Sequence, residues 1–324
     1  MAGRFPQVAG SVPVCNLGVL GDTAMKDQWK KRLLVGVGLF LIYGSNTCMT
    51  SEYEVSETAV ARAAAGKISN TALEEAVLPL MWEDRTRYSV YISYPGQDRE
   101  PYIYQNEMMR SASMIKVFLL AAALERVRDG QLSLTMELPL NASDRVGGAG
   151  VLVGYASGTV LSLDTVLRLM ITESDNTATN MVIDLLGMDT INDYIKRNGY
   201  SDTVLQRKMM DFEAVNEGRE NYTSVKDLGT FFSRVYDHRC VGPAEDERMI
   251  AYLKGQTDTE CFPAALPDAV IAHKTGELGG LYDDGGIVYA GDKDFILVCM
   301  TEDYAGRDIA IETLRNIARA AYEH

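Results

Sequence analysis

The chain changes its hydrophobic rhythm several times. From Tyr88 to Tyr94 (YSVYISY) residues alternate with the period of a strand, and Pro95-Gly96 ends the run. Pro101 to Tyr104 reads as a second strand, which predicts a hairpin. Met114 to Val127 (MIKVFLLAAALERV) is apolar nearly all round, the pattern of a helix buried on every side, and Gly130 closes it. A Gly-rich loop follows around Gly147 to Gly154. Further helices are predicted over Leu163–Ile171, Asn176–Leu186 (ended by Gly187) and Met188–Arg197. Leu205 to Asn221 has no period and reads as a long loop. Thr223 and Ser224 can cap a helix running to Tyr236, with Asp227 in the box position of Ser224. Pro243 opens another helix, with Glu245, Asp246 and Glu247 in its first turn. Then a β pattern returns at Ala269–His273, Gly286–Ala290 and Phe295–Thr301, before a final helix from Asp308 to Tyr322. The Ala- and Glu-rich stretch from Ser56 to Met81 reads as helix.

Strands near both ends and helices between them predict an α+β fold. Its sheet would be antiparallel, built from both ends of the chain, flanked by helices and interrupted by an inserted all-helical domain. The expected boundaries are residues 1–48 for an N-terminal extension and signal or anchor, 49–110 with 240–324 for a discontinuous α/β domain, and 111–239 for the helical domain.

Composition narrows the function classes. At 324 residues with 47% hydrophobic and 23% charged residues, the chain is ordinary for a globular protein. A net charge of −14 argues against a nucleic-acid partner. The three histidines (His238, His273, His324) form no i, i+4 pair and no H-E-x-x-H, and G-x-S-x-G is absent, so no metal or other cofactor is expected. Five cysteines include no C-x-x-C. Cys240 and Cys261 flank a short segment and could pair, or both could be buried free thiols.

Near the N-terminus, KDQWKKR at residues 26–32 precedes an apolar run from Leu33 to Gly44 and a polar exit, Ser45-Asn46-Thr47-Cys48. Basic, apolar, then polar is the order of a secretory signal, and the run is short for a membrane span. A secreted or envelope location is expected, with contact to the membrane only through this segment. Met25 is an alternative start, lipidation at Cys48 the minority reading, and a monomer is expected.

Three short motifs carry the chemistry: Ser113-Met-Ile-Lys116, Ser174-Asp175-Asn176 and Lys274-Thr275-Gly276, each present once. Ser113 and Lys116 are i, i+3 at the start of the buried helix, so they share a face. A lysine sealed in that helix can have a lowered pKa and accept the serine proton. Ser174 can shuttle a proton and Asn176 can hold a substrate amide, while Asp175 suits a structural role. Lys274 and Thr275, ending a β-like run, can bind a carboxylate, and Gly276 admits close approach to the backbone.

In that order, and with Gly148–Leu152 and Leu169–Asn180 beside them, these motifs resemble the class A β-lactamase and penicillin-binding protein superfamily, from about Tyr88 to the C-terminus. The resemblance implies acylation at Ser113 with Lys116 as base and Ser174 as proton relay. It also implies carboxylate binding by Lys274 and Thr275, and an oxyanion hole from the backbone N–H groups of Ser113 and Glu277. The implied substrate is a β-lactam or cell-wall peptide. The expected function is a serine β-lactamase-type hydrolase acting in antibiotic resistance. The rivals are a slowly deacylating D-Ala-D-Ala carboxypeptidase-like enzyme and a non-enzymatic β-lactam or cell-wall binding module.

Two departures stand out. The E-x-x-L-N of class A enzymes, whose glutamate activates the deacylating water, is missing from the 205–221 loop. Aligning Arg207 with the arginine of that loop puts Met209 at the glutamate's place. Pairing Glu213 with Asn216 requires a shortened loop and makes Glu213 the preferred base, with Asp211 next. Solvated charges are the remaining reading of these acids. Second, no arginine occurs between Gly276 and Tyr304, and Asp283-Asp284-Gly-Gly-Ile-Val288 is closer to the wider β-lactamase-related serine hydrolases.

Overall fold

A computed structural model describes residues 67–82 and 85–324. The N-terminal signal segment, residues 56–66 of the expected first helix, Cys15 and Cys48 lie outside the described residues.

Among the described residues, five strands form one antiparallel sheet in the order β2-β1-β9-β8-β7: β1 (Arg87–Ser93), β2 (Tyr102–Tyr104), β7 (Val270–Leu278), β8 (Leu281–Tyr289) and β9 (Phe295–Glu302); β3 (Met109–Arg110) pairs with β6 (Tyr222–Thr223), and β4 (Glu137–Pro139) with β5 (Val160–Ser162), as two small sheets of their own. The two parts of the chain meet where β1 pairs with β9, with Val90 opposite Cys299. β9 is apolar along nearly its whole length (FILVCMTE) because both of its faces are covered. Phe295, Leu297 and Cys299 join one core, and Ile296, Val298 and Met300 the other.

The first core lies under α1 (Thr71–Val77) and the C-terminal helix, which contributes Ile311, Leu314 and Ile317. The second is larger and centres on α2 (Lys116–Arg128), buried from Lys116 to Glu125 as its all-round apolar sequence requires. Around it stand α3 (Leu163–Thr172), α4 (Asn176–Leu186), α5 (Met188–Arg197), α7 (Val225–Tyr236) and α8 (Pro243–Lys254). Phe118, Tyr200 and Phe231 meet there at ring separations of 4.9 to 6.2 Å. At Gly229, α7 lies directly on the Tyr91 ring, leaving no room for a side chain. The caps follow their sequence signals: Ser224 Oγ accepts from Asp227 N, and Asp175 Oδ1 from Ala178 N. α9 (Phe262–Ala265) and α10 (Arg307–Glu323) complete the helices.

Two expectations need correction, the extent of the strands and the state of the loop. β7 does not stop before Lys274-Thr275-Gly276 but runs through it to a Gly279-Gly280 turn, and β8 runs through Asp283 and Asp284. Polar residues hid both strands, yet they are buried with bonded partners: Asp284 with His273 Nδ1 (2.7 Å) and Phe262 N (3.1 Å), and Asp283 through Oδ1 with Thr301 N (2.9 Å), its Oδ2 left without a partner. The 205–221 loop holds a short helix, α6 (Phe212–Asn216), capped by Asp211. Of the two readings of Cys240 and Cys261, the free-thiol one holds. Both are free thiols, Cys261 inside the first core and Cys240 packed against the second.

Candidate active site

Ser113 enters the buried helix through a tight turn. Ala112 adopts a left-handed backbone (φ +41°) and begins a 3-10 turn, Ala112–Ile115, that leads straight into α2. From Ser111 to Glu125 only Ser113 is partly exposed, so one hydroxyl surfaces from an otherwise sealed segment. It opens into a cleft whose walls include Gly148, Ala149, Asn176, Met209, Phe212, Glu277 and Leu278.

Behind Ser113 lies a dense polar cluster. Lys116 is fully buried, and its Nζ donates to Ser174 O (2.6 Å), Ser174 Oγ (3.1 Å) and Asn176 Oδ1 (2.9 Å). From β7, the equally buried Lys274 donates from Nζ to the same Ser174 Oγ (3.0 Å) and to Thr275 O (2.7 Å). Burial pushes Lys116 well below the usual lysine range, and the Lys274 charge adds to this against the pull of Asp175. Burial brings Lys274 down to about 7, opposed by Asp258 and Asp284. Two ammonium groups on one hydroxyl repel, so near neutral pH the cluster readily gives up a proton.

The Ser174 turn is fixed from outside. Ser174 itself has φ +50°. Asp175 Oδ2 accepts from Val151 N (2.6 Å) and Leu152 N (2.8 Å), and Asn176 Nδ2 donates to Gly147 O (3.1 Å). At Gly148 (φ +83°) a Cβ would lie 2.5 Å from Asn176 Nδ2, which explains the glycine. On the other wall β7 presses against the Ser113 turn. A Cβ at Gly276 would sit 3.1 Å from Ala112 Cβ and 3.3 Å from Ser113 N. The backbone of Gly276 and Glu277 therefore runs beside Ser113, and Thr275 is buried next to Lys274.

The 207–216 loop forms the remaining wall. Arg207 Nε donates to Glu220 Oε1 (2.7 Å), and Asn221 Oδ1 accepts from Gln206 N (2.7 Å) and Arg207 N (3.0 Å). Asn180 holds the next turn through both of its side-chain atoms: Met209 N donates to Oδ1 (2.8 Å), and Nδ2 donates to Met209 O (3.1 Å). These bonds deliver Met209, only 7% exposed, to the cleft. Glu213 is exposed on α6 and is not among the residues that line the cleft. Asp211 is turned to its capping bond with Ala214 N (3.0 Å). Held by Asn180, the thioether of Met209 is what this part of the loop brings to the cleft.

A family model described as "Beta-lactamase enzyme family" matches residues 72–324. The chain belongs to the β-lactamase enzyme family. It is a serine hydrolase of the β-lactamase type. A β-lactamase from Sphaerobacter thermophilus is 29% identical, covering 78% of this chain and 97% of its own, with a TM-score of 0.73. PBP-A (24% identical, 78% and 95% covered, TM-score 0.72) and a β-lactamase from Xanthomonas campestris pv. campestris (22%, 78% and 96%, 0.71) share the fold. Among curated proteins no match was found.

Several residues of this β-lactamase-family site escaped sequence reasoning. Asn180 fixes Met209, and its signal was its position one helical turn beyond Asn176 on α4. Glu220, the partner of Arg207, had only charge complementarity to announce it. The buried His273–Asp284 pair on the strand preceding Lys274 had no local signal, because its partners come from two strands.

Proposed function

We propose that this protein opens the β-lactam amide by forming an acyl-Ser113 ester and hydrolyses that ester slowly. One observation carries the acylation half. Lys116, three residues beyond Ser113 at the start of the buried helix, and Lys274 converge on Ser174 Oγ at 3.1 and 3.0 Å. Neutral Lys116 takes the Ser113 proton as Oγ attacks the carbonyl carbon. The backbone N–H groups of Ser113 and Glu277 receive the oxyanion. Ser174 Oγ passes a proton to the leaving nitrogen and is replenished from the lysines that flank it. Lys274 and Thr275 bind the substrate carboxylate, and Asn176 holds the acyl-side amide.

The second half differs from a fast β-lactamase. Hydrolysing the ester needs a base for water, and the loop facing the cleft offers Met209 while Glu213 points elsewhere. This favours the slowly deacylating, penicillin-binding reading for the later step. Its natural substrate then includes cell-wall peptides ending in D-Ala-D-Ala. The basic and apolar segment at residues 26–44 supports work outside the cytoplasm, which N-terminal sequencing of the mature protein checks. Incubating the protein with penicillin and following intact mass tests the whole reading: an adduct equal to the mass of penicillin, mapped to Ser113, is expected, and its absence at any penicillin concentration contradicts it.

A further inference from the structure

Resting on acylation at Ser113 and its oxyanion hole, we infer that Arg307 is a positioning residue for the reaction: it holds the Glu277 carboxylate out of the cleft while the Glu277 backbone N–H serves the oxyanion. Glu277 brings two groups to this place. Its backbone follows Gly276, where a Cβ would lie 3.3 Å from Ser113 N, and the residue lines the cleft. The carboxylate on the same residue works against the chemistry. Turned inward, it would set a negative charge beside the oxygen on which negative charge gathers as Ser113 Oγ attacks.

The clamp that prevents this joins three parts of the chain. Arg307 opens α10, and its Nε and Nη2 donate to Glu277 Oε1 (2.8 Å) and Oε2 (3.0 Å) as one fork. Nη1 and Nη2 donate to Glu260 Oε1 (3.0 Å) and Oε2 (2.8 Å) as the other. Glu260 is itself fixed, since Arg315 Nε (3.0 Å) and Nη2 (2.7 Å) donate to its backbone carbonyl. The guanidinium lies 5.3 Å from the centre of the Tyr282 ring, and Tyr282 is the fully buried residue opposite Glu277 in the β7–β8 pair. Tyr304 N donates to Gly280 O (3.2 Å), which ties the segment before α10 to the turn after β7. Glu260, Arg315 and Tyr282 thus steady the guanidinium, and of this group only Glu277 lines the cleft. With both forks occupied, Arg307 is committed to the two carboxylates. All three charged side chains are partly exposed, where ion pairs add little to stability, so a purely structural role leaves the arrangement unexplained.

Stopped-flow acylation by benzylpenicillin over a range of concentrations separates the rate constant at saturation from the dissociation constant of the first complex. Arg307→Ala should lower the rate constant about tenfold and change the dissociation constant less than about threefold, because the freed carboxylate opposes the transition state more than the bound substrate. Arg307→Lys keeps the charge without the forks and should recover part of the loss. In a Glu277→Gln background either Arg307 substitution should cost less than about twofold, since no carboxylate is left to restrain. Thermal melting checks that each protein is folded, and the Arg307→Lys arm of the cycle decides if Arg307→Ala is not. A rate constant unchanged by both substitutions, or an equal loss with and without the Glu277 carboxylate, overturns the inference while acylation at Ser113 stands. Absence of any adduct on the unaltered protein overturns the proposed function and this inference with it.

Discussion

The two walls that meet at Ser113 are equally well ordered and chemically opposite. On one wall, Lys116, Ser174, Asn176 and Lys274 are joined by hydrogen bonds of 2.6 to 3.1 Å. On the other, Asn180, Arg207, Glu220 and Asn221 hold the loop with bonds of 2.7 to 3.1 Å, yet what it presents is Met209, Met210 and Phe212. The second wall is thus a rigid mount for apolar groups. Activity in such a site depends on which chemistry a loop delivers, and order alone does not supply it.

The comparison can be broken first at its polar wall. Ser113→Ala should abolish the acyl adduct and lower acylation by roughly 10^3-fold or more, read by intact mass and stopped-flow. Survival of the adduct would place the nucleophile elsewhere. Next comes the apolar wall. Met209→Glu supplies a carboxylate at the position Asn180 fixes, and deacylation should rise by about 10^2-fold with acylation changed far less. Adduct lifetimes before and after the substitution give the answer.

A smaller effect follows from protonation. Acylation needs neutral Lys116, whose value burial lowers, so the rate should rise with pH through that lowered value. It should fall again above about 7 as Lys274 loses the charge that binds the carboxylate, and Lys274→Arg should remove this falling limb. Between about 7 and the ordinary value of 10.5 the unfolded chain binds more protons at Lys274 than the folded one. Its contribution therefore makes stability rise with pH across that window, and Lys274→Met should flatten the rise in denaturant titrations. Gly148→Ala should destabilise the fold by about 1–3 kcal/mol through its positive φ and the clash with Asn176, visible as a lower Tm. The smallest effect is expected at Glu213→Gln, where deacylation should stay within about twofold, because an exposed side chain outside the cleft has no water to activate.

Much of the polar wall was legible in the sequence. The all-round apolar helix announced that Lys116 is buried, and the three motifs named the groups that converge on Ser174. The strand through Lys274-Thr275-Gly276 was cut short because alternation fails where polar residues are buried by pairing, as Lys274 and Asp284 are. The loop was the least legible part. Its register depends on Asn180 and Asn221, which reach it from a separate helix and from beyond α6. Nothing local distinguishes a loop that presents Met209 from a shorter one that presents Glu213. Likewise, the spacing of Cys240 and Cys261 could not show that the two thiols belong to different cores.

The measurement that bears most directly on these unequal walls is the time course of intact mass after one addition of benzylpenicillin in modest excess. Rapid, near-stoichiometric appearance of an acyl-Ser113 species that outlasts its formation by orders of magnitude and decays slowly to free protein is expected. Consumption of the whole excess through many turnovers, with no adduct accumulating at any time, would contradict it.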